Sequence, residues 1–318
     1  MVNDYLFIKN IAEKLESNIH EIIVGMGEAI RSLLIGLLSE GHILIEGPPG
    51  TAKTYLGRVF ANSLGLEYRR IQFTIDLMPS DITGSLIYNR ATGTLEFRPG
   101  PIFANVVLAD EINRASPRSQ SALLECMQEK QVTIEGVAYP LPRPFLIIAT
   151  QNPIELEGTY PLPEAELDRF LIRVFIDYLD ASSELEILSK KQLHGEKIDV
   201  EKIASLEEIL KAIDLTSKVY VDRSILEYIV KLGNATRKRE DILLGVSPRG
   251  EVYLLYASKA AAAIDGKSYV TPDHIKSVVK LVFNHRIILK SRSVNPMTLR
   301  REILKILDEI VEEVEPPR

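Results

Sequence analysis

Cysteine is almost missing from this 318-residue chain. Cys126 stands alone, which excludes an intrachain disulfide framework and any zinc site built on a cysteine cluster. The histidines, His20, His42, His194, His274 and His285, lack metal-ligand spacing and read as surface or local structural residues. No apolar run approaches ~18 residues, so no membrane-spanning helix is expected. The opening Met1-Val2-Asn3-Asp4 has no basic stretch of the kind that begins a secretory leader. Internal repeats and low-complexity tracts are also missing. Neither sign of charge dominates: 38 Lys and Arg against 44 Asp and Glu leave a net charge of −6. That balance argues against coating nucleic acid or anionic lipid with the whole surface, although a local basic patch stays open. A soluble, cytoplasmic protein is expected. What the chain does have is 46% hydrophobic and 26% charged residues, an ordinary globular composition. Its length suits one large or two modest domains.

Hydrophobic periodicity predicts two helices near the start. Ile8, Ile11, Ala12 and Leu15 follow i, i+3, i+4, i+7 spacing. Ile30, Leu33, Leu34, Leu37 and Leu38 line a second helix, with Gly41 placed to cap it in the left-handed conformation. Apolar runs then recur at Ile43–Ile45, Val106–Ala109, Phe145–Ala149 and Phe170–Phe175. They do not alternate with polar residues, as expected for strands buried on both faces of a parallel sheet. Helical patterns lie between them, through Leu56, Val59 and Phe60 and through Leu123, Leu124 and Met127. Strand and helix in alternation imply a doubly wound α/β domain. Two segments alternate in polarity instead: Leu95–Arg98 after Ala91-Thr92-Gly93, and Val132–Glu135 before Gly136. Both are expected as β-hairpins. Beyond about residue 180 the strands are expected to stop. Ile225, Ile229 and Leu232 share a helical face, and Ser247-Pro248 and Thr271-Pro272 each read as an N-cap followed by an N1 proline. A last amphipathic helix runs through Leu299, Ile303, Ile306 and Ile310. The expected division is an α/β core over 1–180 and a smaller all-helical domain over 181–318.

Chemistry concentrates at the ends of the strands. Gly47-Pro48-Pro49-Gly50-Thr51-Ala52-Lys53-Thr54 follows the first run and opens a helix. There, successive backbone N–H groups and the helix N-terminus face anionic oxygens, a lysine neutralises β/γ charge and a hydroxyl reaches Mg2+. The strict pattern has glycine where Ala52 stands. Alanine is tolerated if that residue is helical, and strained if it needs φ > 0. Asp110-Glu111 ends the second run, at the carboxyl edge where parallel sheets bind ligands. Alternation aims the two acids differently, leaving Asp110 for Mg2+ through water and Glu111 for the attacking water. Helix capping is the plainer use of either acid alone. Asn152 ends the next strand, where its amide can position water or touch a γ-phosphate, although Asn before Pro153 also suits a turn. Arg249 follows Ser247-Pro248 in a first helical turn, opposing the macrodipole. A neighbouring anion is implied, either nucleotide phosphate or a local carboxylate.

Together these segments resemble the AAA+ ATPases, and within them the MoxR family of the helix-2-insert clade. The likeness runs from Ile23 to about residue 277 and is most specific at Glu46–Thr54, Phe73–Gly84, Asp110–Arg114, Gln120–Glu125, Tyr160–Phe170 and Ser247–Gly250. MoxR-like proteins commonly carry alanine before the P-loop lysine, as Ala52 does here. The resemblance implies a five-stranded P-loop NTPase sheet with hairpin insertions and a helical lid, using ATP and Mg2+. It makes Gly47, Pro48, Gly50, Thr51, Ala52, Lys53 and Thr54 the Walker A loop, with Thr54 also on the metal. Asp110 and Glu111 become Walker B, Asn152 sensor 1, and Arg249 sensor 2 from the lid. Arg169 matches the arginine finger that acts on a neighbouring subunit, with Arg114 a competing candidate for such a contact. Val24 and Gly25 match the adenine pocket. The hairpins near 86–98 and 132–139 match two elements that line the central face of a ring. A hexamer with active sites at subunit boundaries is therefore expected, remodelling or maturing a protein client. Relatives are associated with von Willebrand factor A-domain partners, and this chain contains no such domain.

Other readings stay open. Nucleic-acid motors of the same clade carry such hairpins too. Yet the tip Tyr88-Asn89-Arg90 holds one cation and Gln131–Tyr139 holds none, whereas a hairpin tracking phosphates should be richer in Lys or Arg. A small-molecule kinase would need an acceptor pocket, and a nucleotide-gated scaffold would not need Glu111.

Overall fold

The computed structural model describes residues 2–153, 158–194, 200–290 and 295–317. Helix α1 (Val2–Ile22) buries Tyr5, Ile8, Ile11, Ala12, Leu15 and Ile19, so the apolar stripe runs further than the four residues that announce it. Helix α2 (Gly27–Leu38) ends in a Schellman pair: the Gly41 N–H reaches Gly36 O at 2.9 Å and the Glu40 N–H reaches Leu37 O at 3.1 Å. The left-handed residue is Glu40, at φ 49°, which corrects the expectation for Gly41. Gly41 is required for space, because a Cβ there would lie 2.7 Å from Leu171.

Strand β1 (Ile43–Glu46) leads through the Gly/Pro loop into α3 (Lys53–Ser63), β2 (Tyr68–Gln72) and a short α4 (Pro79–Thr83). Next come β3 (Gly84–Asn89), β4 (Thr94–Pro99), β5 (Val106–Asp110), a 3-10 turn (Ile112–Arg114) and α5 (Pro117–Glu129). Strands β6 (Gln131–Ile134), β7 (Val137–Pro140) and β8 (Leu146–Gln151) follow, then α6 (Glu164–Leu167) and β9 (Ile172–Phe175). Five of these strands form one parallel sheet in the order β2-β5-β8-β1-β9. The two expected hairpins, β3–β4 and β6–β7, are separate antiparallel pairs. Strand alternation sorts the sheet into two cores. Ile43, Ile45, Val106, Leu108, Leu146 and Ile148 pack with α1, α2 and α3. Leu44, Val107, Ala109, Ile147 and Ala149 pack with Leu123, Leu124 and Met127 of α5. Burial on both faces is why these runs carry no polar alternation. Strand β2 has no such run. It lies at the sheet's edge with Ile71 alone fully buried, and Arg69 and Arg70 erase the apolar signal.

The remainder holds α7 (Ala181–His194), α8 (Leu206–Ser217), α9 (Arg223–Lys238), β10 (Ile242–Leu244), α10 (Pro248–Ile264), α11 (Pro272–Phe283), β11 (Ile288–Leu289) and α12 (Pro296–Glu313). Among the described residues it is helical apart from the antiparallel β10–β11 pair and a lone Tyr220–Tyr269 bridge, both too short for periodicity to reveal. Ser247 caps α10 as its sequence implies, its hydroxyl accepting the Gly250 N–H at 3.3 Å. One apolar cluster joins α1, α2 and α3 to Ile209 and Ile213 of α8 and Leu254 of α10. Tyr5 Oη donates to Leu215 O at 3.2 Å and Arg31 pairs with Asp265 at 2.7 Å across the same seam. No described helix is long and apolar enough to cross a membrane.

Candidate active site

The loop between β1 and α3 is shaped by three small residues. A Cβ on Gly47 would collide with the Ile176 carbonyl oxygen, and Gly50 takes φ 81° with nothing near its α-carbon face. Ala52 stands at φ 55°, ψ 21°, immediately before α3 begins. Of the two cases left open for Ala52, the strained one is realised, at a cost of roughly 1–2 kcal/mol for a residue with a Cβ. Lys53 folds back over the loop, its Nζ donating to Gly47 O at 2.8 Å and Pro48 O at 2.6 Å. Burial pulls its pKa below the ordinary lysine value, against the opposing pull of Asp110 and Glu111.

Asp110 and Glu111 close β5 beside that loop. Asp110 is buried, with Oδ1 accepting from Thr150 Oγ1 at 2.6 Å and Oδ2 accepting from Thr54 Oγ1 at 3.0 Å. Arg70 adds two further donors to Oδ2, Nε at 3.0 Å and Nη2 at 2.8 Å. Glu111 leaves the strand in the left-handed region, at φ 58°, so its side chain is re-aimed rather than continuing the pleat. Its N–H donates to Thr150 Oγ1 at 2.9 Å. Its Oε2 accepts from Gln72 Nε2 at 2.9 Å and lies 3.0 Å from Arg114 Nε. A cavity of about 420 Å³ collects Gly50, Thr51, Ala52, Lys53, Thr54, Asp110, Glu111 and Asn152 with Arg70, Gln72 and Thr150. A second cavity, of about 520 Å³, opens from Gly50, Thr51, Ala52 and Tyr55 and continues past Val24 to Tyr178 and Leu179. Gly25 borders it at φ 78°, where a Cβ would press on Leu179. A cavity that bears both cations and acids, bordered through Gly50, Thr51, Ala52 and Tyr55 by a more apolar one, suits a ligand with a charged tail and a flat head.

Two expected residues lie elsewhere. Neither cavity is lined by Arg169 or Arg249. Arg249 Nη1 is 3.6 Å from Asp168 Oδ2, the carboxylate that also holds Ser247 Oγ at 3.1 Å and Arg286 Nε at 2.8 Å. Arg169 follows Asp168 and accepts the Tyr253 hydroxyl on its carbonyl at 3.3 Å. Of the cations expected at a γ-phosphate, Arg249 therefore sits beside Asp168, and Arg169 lines a separate cavity with His42, Tyr253 and Tyr256. Arg114 is engaged within its own chain, against Glu111.

Arg70 and Gln72 were not legible as site residues. In the parallel register Arg70 pairs with Leu108 and Gln72 with Asp110, so both side chains share the α3 face of the sheet with Asp110. Their i, i+2 spacing is the signal, but it has meaning only once Tyr68–Gln72 is known to be a strand. Also missed was a network behind the loop. Glu46 accepts from Gln151 Nε2 and lies 3.5 Å from Arg173 Nη1, while Arg173 Nε donates to Asn284 Oδ1 at 2.7 Å.

Known proteins resemble this chain in sequence and fold. The model of the ATPase family associated with various cellular activities (AAA) matches residues 42–172, and that of the AAA lid domain matches 234–306. The chain is 43% identical over 295 residues to the uncharacterised protein YeaC of Bacillus subtilis, covering 92% of each. It is 40% identical over 286 residues to Chaperone MoxR1 of Mycobacterium tuberculosis, covering 87% of this chain and 75% of that one. The crystal structure of a candidate ATPase from Cytophaga hutchinsonii superposes with a TM-score of 0.88 at 40% identity, over 99% of this chain and 98% of the other. With a P-loop sheet, a helical lid and relatives of this similarity, the chain belongs to the MoxR family of AAA+ ATPases.

Proposed function

We propose that this ATPase hydrolyses Mg2+–ATP between the α3 loop and the end of β5, and works as a ring that remodels a protein client. The observation that carries the catalytic half is the convergence of Lys53, Thr54, Asp110, Glu111 and Asn152 on one cavity that borders a more apolar neighbour. The donor set suits Mg2+, since Thr54 offers a hydroxyl and Asp110 a carboxylate, both hard oxygens. When bound there, Mg2+ neutralises charge on the β- and γ-phosphates.

In this reading Gly47, Pro48, Gly50, Thr51, Ala52 and Lys53 hold the phosphates, and Val24 and Gly25 border the adenine. Glu111 takes a proton from water as the water oxygen bonds to the γ-phosphorus and the bond to the ADP oxygen breaks. Asn152 orients that water. Arg169 lies outside the linings of the two cavities around the α3 loop, as an arginine finger that meets the triphosphate of an adjacent subunit would, and Arg249 is the lid's sensor 2. A ring follows from that need, with a hexamer as its expected size and the cytoplasm as its place. The helices over 181–318 act as the lid, moving against the 1–180 core at each turnover. The hairpins expose Ile87, Tyr88, Leu95 and Val137, a face better suited to polypeptide than to a phosphate backbone. A von Willebrand factor A-domain protein is the expected partner class.

The test is ATPase rate per chain against protein concentration, for the wild type and Arg169→Ala. The rate should climb with concentration in the wild type and fall about 10³-fold in the variant. A rate that is flat and indifferent to Arg169 removes the ring model.

A further inference from the structure

Asp110 Oδ2 is the crowded end of the site. It receives Thr54 Oγ1 at 3.0 Å, Arg70 Nε at 3.0 Å and Arg70 Nη2 at 2.8 Å, while Oδ1 accepts from Thr150 Oγ1. An oxygen with three donors has no lone pair left for a metal or its waters. We propose that Arg70 is a resident counter-cation of the metal site, which must leave Asp110 Oδ2 for Mg2+ or its waters to take that oxygen, and so sets the Mg2+ level needed for tight nucleotide binding. The inference rests on reading this cavity as the Mg2+–ATP site.

Two features make Arg70 suited to stepping aside. Its side chain is 48% exposed against 9% for Asp110, so the arm has solvent to swing into while the carboxylate stays fixed. It also lies on β2, the edge strand, with no further strand beyond it to confine the guanidinium. Lys53 already brings positive charge to the same cavity, so an arriving divalent cation repels a second fixed cation. Arg70 Nη2 additionally donates to Gln72 Oε1, which aims the arm at Asp110. Because the ion pair is half-exposed and screened, its effect should be modest, about threefold to tenfold in binding.

The experiment titrates MgCl2 against binding of a fluorescent ATP analogue to the full chain, for the wild type, Arg70→Gln, Arg70→Ala and Arg70→Lys. Wild-type binding that ignores Mg2+ would overturn the metal-site reading itself. Where wild-type binding does depend on Mg2+, the Gln and Ala variants should need about threefold to tenfold less Mg2+ at half-saturation. The Lys variant, which keeps the cation, should stay near the wild type. A midpoint that does not move in either neutral variant overturns the proposal and leaves a structural ion pair. A higher midpoint, or weaker binding in EDTA, overturns it in favour of a direct phosphate contact. Melting temperatures without nucleotide confirm that each variant compared is folded, and the two neutral substitutions serve as duplicates of one another.

Discussion

Thr54 and Asp110 are 56 residues apart in the chain and 3.0 Å apart in space. The start of α3 and the carboxyl end of β5 meet because both lie at the same edge of a parallel sheet. The contact ties Asp110 to the loop, whereas Glu111 is turned away at φ 58° and held by Gln72. Adjacent carboxylates with different partners should fail differently. Glu111→Gln should preserve ATP binding and lower kcat by roughly 10²–10⁴. Thr54→Ala should instead weaken binding in the presence of Mg2+. Steady-state kinetics paired with equilibrium binding separates the two, and unaltered turnover in Glu111→Gln would remove it as the base.

Ala52 offers a test of the loop's strain. Its φ of 55° is a conformation that glycine adopts freely. Ala52→Gly should remove about 1–2 kcal/mol of native strain. The greater freedom of glycine in the unfolded chain returns about 0.5–1 kcal/mol of that. The net expectation is a gain of about 0.5–1 kcal/mol in chemical denaturation, with nucleotide binding retained. A clear loss of stability would show that residue 52 is right-handed in solution.

The sheet was legible where burial on both faces left unbroken apolar runs, as at Val106–Ala109 and Leu146–Ala149. It was illegible at Tyr68–Gln72, because an edge strand with two arginines has little to bury. The site followed the same rule. The loop and the acids after β5 were visible because backbone chemistry fixes their residue types and order. Arg70, Gln72 and the Thr150 hydroxyl were not, since their importance comes from strand register and not from local sequence. Gly41 shows a third case: a glycine read as a conformational device is needed for clearance against Leu171, while Glu40 takes the positive φ.

Arg173 is the hinge of another prediction. Burial lowers its pKa from the arginine range, and it lies against Glu46, at the end of β1, and Asn284, just after α11. Its guanidinium also sits 4.8 Å from the Phe175 ring, whose centre lies 3.9 Å from Arg300 on α12. Arg173→Met would leave the buried Glu46 carboxylate without its cation. A loss of about 3–5 kcal/mol is expected. Adding Glu46→Gln should restore part of it, so a double-mutant cycle by urea denaturation should give a non-zero coupling. Strict additivity would mean that the pair contributes nothing jointly.

His42 contributes to the response to acid, alongside the equally buried His285, which burial and then Arg286 hold well below the ordinary imidazole value. The Ile147 N–H donates to its Nδ1 at 3.1 Å, so the ring proton belongs on Nε2, which lies 3.1 Å from Met127 O. Phe145 packs against the ring edge at 5.6 Å. Full burial pushes the pKa down to about 4 from an ordinary 6.5, because a charged ring would be desolvated and would lose the Ile147 bond. The folded state thus resists a proton that the unfolded chain accepts. The contribution is complete above pH 6.5 and disappears as pH falls from there towards 4. Its ceiling is about 3 kcal/mol, from a shift of some two and a half units. Asp265, held down to about 2 by His274 first and by Arg31, titrates below this window and leaves it undisturbed. His42→Gln should therefore be less stable than the wild type at pH 7.5 but lose less between pH 6.5 and 4.5. Melting curves for the two proteins that stay parallel across that interval would show that His42 is not the group that titrates.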